Sequence, residues 1–186
     1  MPDRIRTAFL DRDGVINRKA PDGRYVTCWE EFEFLPGAIE ALQRLTRSGI
    51  GIVVVTNQRG VATGQMRLAD VEAVNNRMVS ELAAADAVID AVFTCPHDIG
   101  ECDCRKPGIG LFRQAVSAFP DLDLRTSMMV GDSRADIEAG RCAGCRTFLV
   151  GDLARRSSIL GSFSVAVDGQ ADSLLDVVEG LLEPDD

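Results

Sequence analysis

A short apolar run that ends in two aspartates and a glycine is the feature that most constrains this fold. The run is Thr7–Leu10, and Asp11, Asp13 and Gly14 follow it. A short, continuously apolar segment is typical of a buried strand in a parallel sheet. Residues two apart on a strand point to the same face, and glycine lets the backbone turn away from the sheet. Open α/β sheets bind ligands at the carboxyl ends of their strands, so the two aspartates are candidates for a shared task.

Strand and helix patterns alternate along the rest of the chain. The further predicted strands are Gly51–Val55, Ala91–Thr94, Met128–Val130, Arg146–Val150 and Ser164–Val167. The predicted helices are Pro36–Ser48, Leu68–Ala84, Ile109–Phe119, a short helix that ends near Cys142, and Ala171–Leu182. This alternation predicts an α/β fold with a Rossmann-like, three-layer, doubly wound parallel sheet. No internal repeat or second core is visible, so residues 1–186 are expected to form a single domain.

Composition narrows the function classes. The net charge of -9 argues against a non-specific nucleic-acid binder, because phosphate backbones are held by surplus Lys and Arg. No apolar stretch is long enough to span a bilayer, and the N-terminus lacks the apolar core of a secretory signal. We expect a cytoplasmic, monomeric protein whose partner is a small molecule rather than a nucleic acid or a membrane.

Polar loops follow four of the predicted strands. They carry Asp11 and Asp13, Thr56 and Asn57, Arg105 and Lys106, and Asp132 and Asp136. In a parallel sheet these strand ends lie along one edge, so the side chains are able to converge. Carboxylates with a cation nearby suit Mg²⁺, which prefers oxygen ligands and usually binds together with a substrate phosphate. Asp11 and Asp132 are the natural ligands.

The same set of side chains suits phosphoryl transfer. The Thr56 hydroxyl and the Lys106 ammonium are able to hold phosphoryl oxygens and offset the charge that develops on them. A carboxylate is also able to attack phosphorus covalently. Asp11 is then the expected nucleophile, while Asp13 protonates the leaving alcohol and later activates water.

Four soft metal ligands lie within one short segment, residues 95–104, which we call the zinc loop. Cys95, His97, Cys102 and Cys104 suffice for a closed tetrahedral zinc site, and a closed site indicates a structural role. His97 is the only histidine. If it binds zinc, none remains for a Ser-His-Asp arrangement, and carboxylates must transfer the protons.

The four polar loops resemble, in order, the motifs of the haloacid dehalogenase-like phosphohydrolases. The matching segments are Asp11–Asn17, Thr56–Gln58, Arg105–Pro107 and Gly131–Asp136. The resemblance implies that Asp11 is the nucleophile and Asp13 the acid and base, and that Thr56 and Lys106 bind the phosphate. It also implies that Mg²⁺ binds Asp11, the Asp13 backbone carbonyl and Asp132, with Asp136 supporting these ligands without touching the ion.

The zinc loop, together with residues 26–37, resembles the D-glycero-D-manno-heptose 1,7-bisphosphate 7-phosphatases. Residues 56–64 also resemble that group, although Thr63 stands where an arginine is frequent. The histidinol-phosphate phosphatase domains share parts of the zinc loop, and the short spacing between His97 and Cys102 is closer to theirs. The expected substrate is therefore the heptose 7-phosphate, with histidinol phosphate or another small phosphate ester as the alternative.

Specificity must come from loops, since there is no room for a cap domain. Roughly fifty residues separate Thr56 from Lys106, and a helix, a strand and the zinc loop occupy nearly all of them. Residues 18–29 and the zinc loop are the candidates. Arg105 is the first candidate for a second phosphate or a hydroxyl, because a guanidinium binds two oxygens at once. Arg12, Asn17 and Asn57 are further candidate substrate contacts.

A function of another class is also consistent with a phosphate site. A catalytically inactive module that binds phosphate or a protein partner would keep the cleft without the chemistry. The presence of all five reactive side chains argues against it; they are Asp11, Asp13, Thr56, Lys106 and Asp132.

Overall fold

Six strands of the described residues form one parallel sheet in a computed structural model of the protein, which describes residues 4–161 and 166–182. The strands are β1 (Thr7–Leu10), β2 (Gly51–Asn57), β3 (Ala91–Cys95), β4 (Ser127–Gly131), β5 (Arg146–Val150) and β6 (Gly169–Ala171). Their order across the sheet is β3-β2-β1-β4-β5-β6. β1 is therefore central, with β2 and β4 paired to its two sides.

Helices cover both faces of this sheet. The α-helices are α1 (Ala38–Arg47), α2 (Leu68–Ala84), α3 (Gly110–Ala118), α4 (Arg134–Ala143), α5 (Leu153–Gly161) and α6 (Leu174–Leu182). Short 3₁₀ helices span Trp29–Glu31 and Leu124–Thr126. No helix in the two described ranges combines the length and the apolar character needed to cross a bilayer.

Successive side chains of β1 pack into two separate apolar layers, because neighbouring side chains of a strand point to opposite faces of the sheet. Leu10 belongs to a core that includes Leu42 of α1 and Met78 of α2. Phe9 belongs to the opposite core, where its ring lies 4.7 Å from that of Phe112 on α3. Burial on both faces explains why this strand is continuously apolar, and the three-layer prediction is confirmed.

The loop between β1 and α1 is anchored by aromatic side chains. Trp29 stacks on Phe32 at 4.8 Å, and both rings contact Phe34. The Arg77 guanidinium of α2 lies over the Trp29 ring, 5.9 Å from its centroid. Apart from the first 3₁₀ helix this loop contains no helix, and no cap domain interrupts the described residues. The aromatic contacts thus hold this loop against the core of the domain.

The last third of the chain departs most from the sequence prediction. The predicted strand Ser164–Val167 is wrong where it is described: residues 164 and 165 lie outside the described residues, 166 and 167 are not in a strand, and β6 lies at Gly169–Ala171. α6 begins at Leu174 rather than Ala171, because Ser173 and Asp176 cap its first turn.

Helix α5 was not predicted at all. None of its described side chains is buried, so it lacks the apolar stripe by which helices are recognised. A local signal was available, since the Asp152 carboxylate accepts a hydrogen bond from the Arg155 N–H in the first turn.

Candidate active site

The loops after β1, β2 and β4, together with Arg105 and Lys106 directly after the zinc loop, surround a cleft of about 330 Å³ at the carboxyl edge of the sheet. Asp11, Asp13, Asn57 and Lys106 line its floor. Residues 19–26, together with Arg59 and Arg105, form its walls. The structure therefore brings residues of all four predicted loops to one place.

Lys106 is the buried centre of the cleft, with its side chain 1% exposed. Its Nζ lies 2.9 Å from Asp11 Oδ1 and 2.6 Å from Asp136 Oδ1, and it donates a hydrogen bond to the Val55 carbonyl at 2.6 Å. Burial opposes the charged form, but the two carboxylates outweigh it and raise the pKa of Lys106 above its ordinary value. The lysine is therefore a fixed positive charge.

The side chain of Asn57 holds the backbone of Lys106 in place. The Asn57 side chain donates to the Lys106 carbonyl and accepts from the Lys106 N–H, both at 3.1 Å. This paired contact ties the last residue of β2 to the segment that follows the zinc loop.

Three carboxylates converge beside Lys106. Oxygens of Asp11, Asp132 and Asp136 lie within 4.8 Å of one another. Burial raises the pKa of Asp11 to about 7; Lys106 opposes this rise, and the negative charges of Asp136 and Asp132 add to it. Burial likewise raises the pKa of Asp132. So much negative charge in a small buried volume calls for a cation.

Asp132 has one oxygen that is engaged and one that is not. Its Oδ2 accepts from Arg155 at 2.6 Å and lies 3.3 Å from Lys19 Nζ. Its Oδ1 is buried and finds no hydrogen-bond partner among the residues the structure describes. A buried, unpaired oxygen on a carboxylate that lies close to two further aspartates fits a hard divalent cation such as Mg²⁺. Asp11 and Asp132 are thus able to hold one, whereas both oxygens of Asp136 are already in contact with Lys106 and Ser133.

Close packing leaves two glycines no room for a side chain. A Cβ on Gly14, whose φ is +96°, would lie 2.2 Å from Asp132 Oδ2. A Cβ on Gly131 would lie 2.1 Å from the Asp136 Cβ. The Asp136 carboxylate also caps α4 by accepting from the Ser133 N–H and hydroxyl. Helix capping therefore orients the same carboxylate that contacts Lys106.

Asp13 is held by three donors. Arg12 Nη2 donates to both carboxylate oxygens, at 3.1 and 3.0 Å. Asn17 Nδ2 donates to Oδ1 at 2.9 Å, and Gln58 Nε2 donates to Oδ2 at 2.7 Å. Gln58 also donates to the Thr56 hydroxyl at 3.0 Å. These bonds fix the orientation of a carboxylate that remains about 20% exposed to the cleft.

The side chains of Arg12 and Asn17 do not fit the prediction that they contact substrate. Both residues are fully buried and line no part of the cleft. Arg12 points between β1 and α2, where its Nη1 donates to Asn75 Oδ1 at 2.8 Å. Their hydrogen bonds hold Asp13 instead.

Sequence reasoning missed several side chains at the site. Gln58 lies inside a recognised motif but was given no role, and Asn75 sits on a helix whose neighbours are apolar. Lys19 and Arg155 approach Asp132 from a loop and from the unpredicted helix α5. Nothing in the local sequence signals these last two contacts, because both span more than twenty residues of chain.

The zinc-loop ligands converge as a separate cluster. The Sγ atoms of Cys95 and Cys102 lie 3.5 Å apart, and Cys104 Sγ lies 3.2 Å from each of them. His97 Nδ1 lies 3.3 Å from Cys104 Sγ. These separations exceed the ~2.05 Å of a disulfide, and approach the ~3.8 Å expected between two sulfurs on one tetrahedral zinc. The donor set fits a single zinc ion.

The thiols also show the electrostatics of a ligand cluster. Burial raises the pKa of Cys104. Although burial opposes it, hydrogen bonds from Cys104 and from the Arg105 N–H lower the pKa of Cys102 to about 7. The Arg105 bond, 3.4 Å to Cys102 Sγ, links the cluster directly to the residue before Lys106.

Fold and site together define the class of protein. A doubly wound parallel sheet with two aspartates after its central strand, a buried lysine and two aspartates after β4 is characteristic of the haloacid dehalogenase-like hydrolases. The profile described as HAD-hydrolase-like matches residues 103–177.

Individual relatives narrow that class. The chain is 44% identical over 144 residues to the D-glycero-alpha-D-manno-heptose-1,7-bisphosphate 7-phosphatase of Mycobacterium tuberculosis (strain ATCC 25618 / H37Rv). The aligned region covers 73% of this chain and 75% of that protein. The chain is 38% identical over 147 residues to the D-glycero-beta-D-manno-heptose-1,7-bisphosphate 7-phosphatase of Bordetella bronchiseptica, covering 78% and 80%.

A solved structure agrees with these relatives. The crystal structure of D,D-heptose 1,7-bisphosphate phosphatase from B. bronchiseptica, complexed with magnesium and phosphate, matches with a TM-score of 0.86 and 36% identity over 96% of this chain and 98% of that one. The chain belongs to the family of the heptose-1,7-bisphosphate 7-phosphatases, and it is a hydrolase of phosphoric monoesters.

Removing the charge of Lys106 should destabilise the protein more than removing that of Lys19. Lys106→Met leaves buried carboxylates without their counter-charge, and we expect a loss of about 3 kcal/mol in the free energy of unfolding when no divalent cation is added. Lys19→Met is the matched control, because its side chain is 46% exposed, and it should cost less than about 1 kcal/mol. Urea unfolding of both variants measures the difference; equal losses would contradict the assignment of Lys106 as the central charge.

Proposed function

We propose that this protein removes the 7-phosphate of D-glycero-D-manno-heptose 1,7-bisphosphate through an aspartyl-phosphate intermediate. The observation that carries the proposal is the Asp11 carboxylate beside the buried charge of Lys106, with Asp13 two residues further on at the same cleft. The substrate named for the relatives supports the choice of sugar. We also propose that residues 1–186 act as one phosphohydrolase domain, since both apolar layers share a single sheet.

In the first step an oxygen of Asp11 attacks the phosphorus of the 7-phosphate. The bond between phosphorus and the sugar oxygen breaks, and that oxygen takes a proton from Asp13 as it leaves. Lys106 favours the ionised, nucleophilic form of Asp11 by its charge. Lys106, which lines the cleft, is the expected contact for the phosphoryl oxygens. Thr56 keeps its predicted phosphate contact in this proposal, although it is 1% exposed and does not line the cleft.

In the second step water attacks the phosphorus of the aspartyl phosphate. Asp13, now ionised, takes a proton from this water, and the bond between phosphorus and Asp11 breaks. Inorganic phosphate leaves and the Asp11 carboxylate is restored. Because the only histidine belongs to the zinc-loop cluster, Asp13 is the proton carrier in both steps.

The second phosphate of the substrate requires a cation at the rim of the cleft. Arg105 lines the cleft beside Lys106, and its Nη1 is buried with no hydrogen-bond partner in the described part of the chain. A guanidinium binds two phosphate oxygens at once. We therefore assign Arg105 to the phosphate on the sugar's other end, with Arg59 held nearby by Asp98.

Mg²⁺ is the proposed cofactor. Asp11, Asp132 and the backbone carbonyl of Asp13 would hold it, and Asp136 would orient this set through Lys106 and Ser133. The magnesium and phosphate bound in the B. bronchiseptica structure support this choice. When bound, the ion offsets negative charge on the phosphoryl group.

Zinc is the proposed structural ion of the zinc loop. Cys95, His97, Cys102 and Cys104 would fill all four positions of a tetrahedral site, which leaves none for water. Its role would be to shape an irregular loop and deliver Arg105 and Lys106 to the cleft.

Asp11→Asn should abolish turnover. The amide is a poor nucleophile, so we expect phosphate release to fall by at least about 1000-fold. Asp22→Asn, an exposed acid on the wall of the same cleft, is the matched control and should keep nearly wild-type rates. Initial rates of phosphate release in the presence of Mg²⁺ measure both. Turnover that survives Asp11→Asn unchanged would refute the mechanism, and no release by the wild-type protein from any ester tested would favour a binding module.

A substrate panel tests the assignment of the sugar. We expect kcat/KM to be highest for heptose 1,7-bisphosphate, with release of the 7-phosphate alone. Relatives are named for the alpha and for the beta anomer, so the panel contains both, together with histidinol phosphate and fructose 1,6-bisphosphate. A large preference for histidinol phosphate, which the short spacing in the zinc loop favours, would overturn the heptose assignment while leaving the mechanism intact.

Loss of zinc should disorganise the cleft. We expect about one zinc per chain by metal analysis, and near-complete loss of it in Cys102→Ser, with a lower melting temperature and reduced activity. Cys142→Ser changes an exposed cysteine outside the cluster and should alter none of these quantities. A Cys102→Ser protein with unchanged stability and activity would show that the loop needs no metal.

A further inference from the structure

Asn75 is a polar residue on the buried side of α2, where Val71, Val74 and Met78 are also buried. It is only 6% exposed. A buried amide costs free energy unless its hydrogen bonds are made. Asn75 accepts one hydrogen bond from Arg12 and donates one to Thr94. These two bonds explain why a polar residue lies among apolar ones on this helix.

The Arg12 guanidinium fixes the orientation of this amide, because it only donates and so requires the amide oxygen. Asn75 Nδ2 donates to the Thr94 hydroxyl on β3 at 3.2 Å. The amide oxygen faces inward, where it accepts from Arg12 Nη1 at 2.8 Å. The Thr94 hydroxyl, which is able to donate or accept, holds the opposite end of the amide.

Arg12 in turn is fully buried and shared between two partners. One terminal nitrogen contacts Asn75, and the other contacts both oxygens of Asp13. Its Nε has no hydrogen-bond partner within the described residues. The contact of Asn75 with Nη1 therefore keeps the guanidinium from rotating while Nη2 holds Asp13.

Of the three donors on Asp13, only Arg12 reaches both oxygens and only Arg12 is charged. Its geometry therefore sets the plane of the Asp13 carboxylate. We propose that Asn75 is a positioning residue for proton transfer, acting through Arg12 on Asp13. This inference rests on the proposed function, in which Asp13 protonates the leaving oxygen.

The test uses leaving groups that differ in their need for a proton. A sugar alcohol leaves poorly without one, whereas p-nitrophenolate leaves readily as the anion. kcat/KM reports on the steps up to departure of the leaving group. A positioning defect should lower kcat/KM for heptose bisphosphate and spare p-nitrophenyl phosphate, while a general structural defect should lower both alike.

We expect Asn75→Leu to reduce kcat/KM for heptose bisphosphate about tenfold or more and to leave that for p-nitrophenyl phosphate within about twofold. Asn75→Asp keeps an oxygen that accepts from Arg12 and should retain most of the wild-type ratio between the two substrates. Asn76→Leu makes the same chemical change at the adjacent exposed position and should have no effect. If Asn75→Leu does not fold, Asn75→Ala and Thr94→Val carry the test with less added bulk.

The variant Asp13→Asn distinguishes the acid role of Asp13 from the positioning role of Asn75. It should show the same leaving-group dependence, more strongly. If Asp13→Asn shows that dependence and the Asn75 variants lower both substrates equally, or neither, the positioning role is overturned and the proposed function stands. If Asp13→Asn itself shows no such dependence, the proposed acid role fails.

Discussion

The buried contact of Lys106 with Asp11 and Asp136 is the interaction on which the rest of the site depends. A single ammonium lies within 3 Å of two carboxylates, one directly after β1 and one on α4, and it also donates a hydrogen bond to the Val55 carbonyl of β2. An unpaired charge at that depth would cost several kcal/mol. Lys106 thereby holds three elements that are distant in sequence at one edge of the sheet. The path of the zinc loop must bring Lys106 to this point.

The two aspartates of the first motif occupy different environments. Asp11 lies against Lys106 and among other carboxylates, which suits a nucleophile and metal ligand. Asp13 is held by Arg12, Asn17 and Gln58 and lines the same cleft with about 20% of its side chain exposed, which suits a group that exchanges protons with substrate and water. Both groups follow β1 within three residues and line the cleft, and their neighbouring contacts separate their tasks.

The strands, most helices and the convergence of four polar loops were predictable from the sequence, because each depends on local periodicity and on the rule that parallel strands end along one edge. The Cys and His spacing likewise predicted the cluster that the structure assembles. Helix α5 and β6 were missed because neither buries a continuous apolar face. The position of Arg12 in one of the polar loops predicts a substrate contact, whereas its side chain is buried against Asn75 and Asp13 and does not line the cleft.

The sequence by itself therefore determined the chemistry available to this protein: which carboxylates, hydroxyls, cations and thiols stand at the ends of its strands. Only the tertiary structure decided how those groups are used, since it alone brings Asn75 to Arg12, Gln58 to Asp13, and Lys19 and Arg155 to Asp132. The physical reason is that residue types and periodicity are local properties. Burial, charge pairing and hydrogen-bond direction arise from contacts between segments that lie far apart along the chain.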